Sequence, residues 1–172
     1  AVGTAYGVQA TLIYMAIYMA MTLGAFACVL AMRTEKGPVE SIADLAGAAQ
    51  TQGTLAFVLA TMMFALAGIP PLAGFWAKYY VILAAIQANF KTLAVIAVIA
   101  SVIGAYYYLR VIKIMYFDEP KGAFLPIRFK TQAIMILTTL LVILSFLPFP
   151  FRIGSLGDWV VGAAQVAARS LF

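Results

Sequence analysis

The residues with the clearest potential for chemistry lie within one short segment of the chain. Lys78 stands among apolar and aromatic residues, four positions after Gly74. Just before it, Pro70 and Pro71 interrupt a long apolar run and are flanked by Gly68 and Gly74. A proline removes a backbone donor and clashes with the preceding turn, so a helix must break or kink here. Because a charge inside an apolar span is costly and usually functional, the segment predicts a functional ammonium beside a helix break.

Proton transfer is the chemistry that this ammonium could perform. A lysine amine out of bulk water can gain and release a proton. The chain has six acidic residues, and all of them fall in predicted loops or the tail, so Lys78 has no ionic partner within a span. Its distance from the end of its helix, about 14 Å at 1.5 Å per residue, exceeds the reach of a lysine that extends to the headgroups. A proton path through Lys78 would therefore need groups from elsewhere.

Other kinds of site are missing from the sequence. The chain has no histidine, which excludes catalysis and metal or haem ligation by that residue. Its one cysteine, Cys28, lies in an apolar run and is interpreted as a packing residue. There is no G-x-G-x-x-G, P-loop or C-x-x-C motif. We therefore predict no cofactor and no metal in this chain, and the dispersed basic residues do not indicate nucleic-acid binding.

Composition places the chain in the lipid bilayer. Of 172 residues, 65% are hydrophobic and 10% are charged, and the mean hydropathy is +1.03. Soluble domains carry about 25% charged residues. Because backbone polar groups must be paired in lipid, apolar runs of this length predict helices. The fold class is therefore all-α, a polytopic membrane protein with a single membrane domain over residues 1–172.

About four transmembrane helices are predicted, at Tyr6–Met32, Gly53–Gln87, Thr92–Phe117 and Thr131–Leu147. Between the first two, residues 38–49 could form a short interfacial helix, and residues 152–172 are predicted to be an interfacial tail.

The second of these spans is too long for one straight helix. Its 35 residues would extend over roughly 52 Å, whereas the hydrocarbon core is about 30 Å thick. A break between Gly68 and Gly74 resolves the excess by dividing the span into half-helices, about Thr54–Ala67 and Leu72–Gln87. Backbone freed by such a break must face protein or water, and transporters use such places for ion sites. The second span is therefore predicted to be discontinuous.

The distribution of basic residues predicts the orientation. One set of loops and helix ends holds seven, Arg33, Lys36, Arg110, Lys113, Lys121, Arg128 and Lys130. The opposite side holds three, Lys91, Arg152 and Arg169. The richer side is predicted to be cytoplasmic, so that the N-terminal end and the C-terminus face outward. Because the chain begins with Ala1 and has no basic leader, we expect it to be a C-terminal fragment of a longer protein.

Four stretches carry a resemblance to a known family, namely Leu66–Tyr80, Tyr18–Phe26, Ser41–Gly47 and Ser101–Phe117. The first closely resembles the discontinuous helix of the antiporter-like subunits of bacterial NADH-quinone oxidoreductase, respiratory complex I. The resemblance extends to about residue 120 and is weaker in the tail. The family has subunit types called N, L and M. Some of these sister subunits have a glutamate at the position of Lys78, so a lysine here favours the N or L type over the M type.

The resemblance implies a function and a location. Such subunits conduct protons through the bacterial inner membrane, driven by quinone reduction elsewhere in the complex. Lys78 matches the lysine that passes protons outward, and Gly68, Pro70, Pro71 and Gly74 match the break that admits water. The chain would belong to an enzyme, an NADH:quinone oxidoreductase, without a redox centre of its own. Other subunits would bind NADH, FMN, iron–sulfur clusters and quinone, and other membrane subunits would be the partners.

Two alternatives stay open. The chain could belong to a cation/proton antiporter of the Mrp type, which is a transporter and not part of a redox enzyme. It could also be a structural membrane subunit in which Lys78 only anchors an interface with another subunit.

Overall fold

The computed structural model describes residues 3–34, 37–39, 41–70, 72–122, 124–144 and 156–170. Helices make up most of this part of the chain, which confirms the predicted all-α class. The helices are α1 Ala5–Ala31, α2 Ala48–Thr51, α3 Gly53–Ala67, α4 Ala73–Gln87, α5 Lys91–Phe117, α6 Phe129–Leu144 and α7 Leu156–Arg169. A short 3-10 helix, Ile42–Leu45, and two paired strands, β1 Arg33–Thr34 and β2 Gly37–Pro38, lie between α1 and α2.

The two longest helices, α1 and α5, have 27 residues each. Within the described ranges they are the two helices that are both long and apolar enough to cross a membrane. Helix α1 begins after Thr4, whose Oγ1 accepts a hydrogen bond from the Gly7 N–H at 3.0 Å. This cap satisfies one of the backbone donors that every helix start leaves free. Both helices agree with the predicted spans to within one residue at each end.

Helix α1 is the central packing element of the fold. Its buried residues Ile13, Ile17, Met21 and Cys28 recur at helical spacing on one face. This face contacts α3, α4, α6 and α7. Around Met21, a buried cluster joins α1 to Met62 of α3 and to the first turns of α4. The cluster fixes α3 and α4 relative to each other, and the candidate site lies beside it.

The connection after α1 differs from the helix predicted for residues 38–49. Pro38 lies in the antiparallel pair β1–β2, opposite Arg33. The chain continues as the 3-10 helix, and Gly47 then adopts a left-handed conformation with φ 66° before α2 begins. The prediction of one continuous helix was wrong because strand pairing holds Pro38 and the turn at Gly47 separates the two helical segments.

The tail prediction, 152–172, falls partly outside the described residues, since 152–155 and 171–172 are among those not described. Helix α7 packs Val160, Val161 and Ala164 against the buried cluster around Met21, at Ile13. Trp159 is exposed. One face of α7 therefore covers α1. The position of this helix relative to the bilayer stays a prediction.

Candidate functional site

The end of α3 is shaped by Gly68. This residue has φ 87° and ψ 38°, in the left-handed region that a residue without a Cβ adopts at little cost. The Gly68 N–H donates to the Ala65 carbonyl at 3.0 Å, and the Ile69 N–H donates to the Phe64 carbonyl at 3.2 Å. These two bonds form a Schellman motif, which ends the helix and pairs two of its last four carbonyls. The chain turns away from the helix axis at this point.

Lys78 donates hydrogen bonds to the other two of the last four carbonyls of α3. Its Nζ donates to the Leu66 carbonyl at 2.9 Å and to the Ala67 carbonyl at 3.0 Å. A helix concentrates partial negative charge at its carboxyl end, so an ammonium is favourably placed there. The carbonyls that the end of α3 leaves free are thereby all hydrogen-bonded. The predicted site residue thus binds the backbone across the break, where no acidic side chain is needed.

Gly74 allows α4 to approach the last turn of α3. A Cβ at this position would overlap the carbonyl oxygen of Ala65 and lie 3.1 Å from Sδ of Met21. Only a residue without a side chain fits between these groups. The contact brings α4 close enough for Lys78, one turn later on the same face, to reach the end of α3.

The two remaining residues of the predicted break are the prolines. Pro70 lies in an exposed turn between α3 and α4, and Pro71 lies outside the described residues. The Leu72 N–H donates to the Ile69 carbonyl at 3.1 Å, which closes the turn before α4 begins. The helices end and begin within one residue of the predicted half-helices.

Two cavities adjoin Lys78. One, of about 330 Å³, lies between α4 and α5, and its lining includes Gly68, Ile82 and Val98. The other, of about 270 Å³, lies between α1, α4 and α5. Lys78 and Ser101 line both cavities. The Lys78 side chain therefore has open space on two sides.

Sequence reasoning missed the polar residues of the second cavity. Tyr14 and Tyr18 of α1 and Ser101 and Tyr108 of α5 line it. In the sequence, the helical spacing of Tyr14 and Tyr18 favours a packing stripe, and the basic residues Arg110 and Lys113 after Tyr108 favour an anchor at the membrane interface. One signal was present in the sequence: Ser101 is the single hydroxyl residue between positions 93 and 105.

Replacing Gly68 by alanine tests the geometry of the break. A Cβ would force a left-handed conformation on an ordinary residue, which costs about 1–2 kcal/mol, and would stand 3.1 Å from Cδ of Lys78. We expect a lower thermal unfolding temperature of the complete subunit in detergent. Gly53→Ala is the matched control, because nothing lies within 4 Å of a Cβ at that position. Equal unfolding temperatures for the two variants would contradict the expected strain at Gly68.

Comparison with known proteins identifies the family. A model of the family described as NADH:quinone oxidoreductase/Mrp antiporter, TM, matches residues 1–104. The chain belongs to this family. A multi-pass membrane protein is the class that the composition predicted, and membership of this transmembrane family confirms it.

A relative of this antiporter-family chain shows which subunit type the chain resembles. NADH-quinone oxidoreductase subunit N of Beijerinckia indica is 55% identical over 172 residues, which is 100% of this chain and 34% of that protein. The chain thus spans about a third of the length of this curated relative. The predicted resemblance is confirmed for the N type, one of the two types that Lys78 favours.

Solved structures of the antiporter family share the fold. A chain of respiratory complex I from Thermus thermophilus matches with TM-score 0.73 and 27% identity, over 91% of this chain and 34% of that one. A chain of the Mrp complex from Dietzia sp. DQ12-45-1b matches with TM-score 0.77 over 97% of this chain and 38% of that one. The second match, at 20% identity, shows the fold alone.

Proposed function

We propose that this chain is part of a proton-translocating membrane subunit of a bacterial NADH:quinone oxidoreductase, and that Lys78 is its proton relay. The observation that carries the proposal is the position of the Lys78 ammonium. It bridges the break between α3 and α4 and lines two cavities at once. The identity to subunit N relatives supports the same assignment.

The arrangement in the membrane is part of the proposal. Helices α3 and α4 have 15 residues each, or about 22 Å, so neither crosses a hydrocarbon core of about 30 Å alone. Together α3 and α4 form one discontinuous span, and α1 and α5 each cross the bilayer alone. The fourth span is Thr131–Leu147, of which the structure describes the part in α6. Residues 152–172 form an interfacial tail, and both ends of the chain face outward from the bacterial inner membrane.

The break has a defined role in this function. Gly68 and Gly74 create the turn and the close approach, and Pro70 and Pro71 prevent the helix from continuing. Water reaches Lys78 through the cavities on both sides. The amine takes a proton from one side and releases it to the other, while the α3 carbonyls hold the charged form.

The redox components of the complex lie in other chains. NADH, FMN, the iron–sulfur clusters and quinone are bound by other subunits of the complex. The partners of this chain are other membrane subunits and the lipid bilayer. Quinone reduction supplies the energy, and Lys78 transfers protons without an electron carrier in this chain.

A Mrp-type cation/proton antiporter is the second candidate, because the description of the matching family names the Mrp antiporter beside NADH:quinone oxidoreductase. Replacing Lys78 by methionine in the complete subunit, within the assembled oxidoreductase, separates the candidates. A redox-driven relay predicts loss of NADH-driven proton transfer. Cation/proton exchange by the parent protein without NADH would indicate an Mrp-type antiporter, and unchanged proton transfer in the assembled variant would indicate a structural subunit.

A further inference from the structure

The smaller cavity beside Lys78 has an unusual concentration of hydroxyl groups. Tyr14 and Tyr18 enter it from α1, and their rings stack with centroids 5.8 Å apart. Ser101 and Tyr108 enter it from α5. Each hydroxyl can both donate and accept a hydrogen bond. The cavity wall therefore offers a set of groups that can pass a proton as well as bind water.

The volume of the cavity suits several water molecules. Its 270 Å³ compares with about 30 Å³ for one molecule in the liquid, and a buried water needs two to four polar partners. Lys78 and the four hydroxyls supply such partners. The larger cavity, by contrast, is lined mainly by apolar side chains such as Ile82 and Val98. The hydroxyl-lined cavity is thus the better place for ordered water.

Ser101 occupies the junction of the two cavities. Among the residues that the structure describes, Lys78 and Ser101 are the two that line both. Helical spacing places Ser101, Gly104 and Tyr108 on one face of α5. A Cβ at Gly104 would meet only Cε2 of Tyr108, at 3.9 Å, so this face leaves open space between the serine and the tyrosine.

The Ser101 hydroxyl does not make the hydrogen bond that hydroxyls in helices usually make. Within the described helices, Thr22, Thr61 and Thr139 donate to the carbonyl four residues earlier. Such bonds are the common structural role of a hydroxyl in a helix. In the part of the chain that the structure describes, Ser101 makes no such bond. Its hydroxyl is therefore available to the cavities.

We propose that Ser101 is a second proton-relay residue, which transfers protons between water in the cavity of Tyr14, Tyr18 and Tyr108 and the cavity on the other side of Lys78. This inference rests on the proposed function. In each transfer, Oγ accepts a proton from one neighbour while its own O–H bond breaks and that proton passes to the other neighbour. The hydroxyl is regenerated without net charge, and no electron is transferred.

The test compares point variants of the complete subunit in the assembled oxidoreductase, reconstituted in liposomes. We expect Ser101→Ala to lower the rate of NADH-driven proton transfer several-fold and Ser101→Thr, which keeps a hydroxyl, to restore it. Tyr108→Phe should lower the rate as well. The matched control is Tyr106→Phe, on the same helix, since Tyr106 is 71% exposed and lines neither cavity. The control should retain the parent rate.

A solvent isotope measurement distinguishes a relay from a packing role. If Ser101 passes protons, the rate in the alanine variant should fall further in D₂O than the parent rate does, because proton transfer has become limiting. An unchanged rate in Ser101→Ala would overturn the inference, as would an equal isotope effect in variant and parent. In either case loss of transfer in Lys78→Met would leave the proposed function standing. Full transfer in Lys78→Met would remove the proposed function itself.

Discussion

Replacing Lys78 by methionine is expected to lower NADH-driven proton transfer at least tenfold, because a positioned acid–base group typically contributes even more, roughly 10²–10⁴-fold. Methionine has a similar length and an apolar end, so it occupies the same space without an ionisable group. The measurement is proton uptake into liposomes that contain the assembled complex. NADH oxidation by an artificial acceptor, which bypasses the membrane part, verifies that the rest of the enzyme is intact.

Lys78→Arg separates proton transfer from structural support. Methionine also leaves the Leu66 and Ala67 carbonyls without their donor, at a cost of about 1–3 kcal/mol. A guanidinium keeps the charge and the donors, but it does not release a proton in proteins. We expect the arginine variant to assemble well and still to lose proton transfer. Parent-level transfer in either variant would contradict the relay role of Lys78.

Replacing Gly74 by alanine is expected to have the largest effect on stability. The new Cβ would overlap the Ala65 carbonyl oxygen, so α4 must move away from α3. Overpacking of this kind costs about 1–3 kcal/mol and sometimes more. The displacement would also pull Lys78 away from the end of α3. Thermal unfolding of the complete subunit in detergent, with the yield of assembled complex, measures the effect.

Gly162→Ala in α7 is the matched control for Gly74. The chemical change is the same, but nothing lies within 4 Å of a Cβ at Gly162. A helix gains about 0.5–1 kcal/mol from such a change in its interior. We expect the control to be at least as stable as the parent. Comparable unfolding temperatures for both variants would show that the approach of α4 to α3 is looser than the structure has it.

The end of α3 and the start of α4 could be predicted from the sequence to within one residue, because the length of the apolar run and the proline pair both constrain them. The hydrogen-bond partners of Lys78 could not be predicted in this way. The sequence indicated that no acidic side chain in a span could pair with it, and none was needed. Backbone carbonyls are present at every residue, so no residue type marks the two, at Leu66 and Ala67, that bind the ammonium.

The hydroxyl-lined cavity was missed for a different reason. Tyr14 and Tyr18 recur at a spacing that fits helix packing equally well, and Tyr108 stands beside basic residues that are typical of a membrane interface. Only the packing of α1 and of α5 against α3 and α4 brings these side chains into one cavity with Ser101. Contacts between helices far apart in the chain are set by tertiary packing, which a single sequence does not display.

The bonds from Lys78 to the end of α3 couple charge to mechanical stiffness. An ammonium has three N–H donors and a full positive charge, and it ties α4 to the Leu66 and Ala67 carbonyls. Loss of the proton replaces one donor with a lone pair and removes the attraction to the helix dipole. The contact between the two helices is therefore stronger when the lysine is charged and weaker when it is neutral, so the charge state of Lys78 sets how firmly α4 is held to α3.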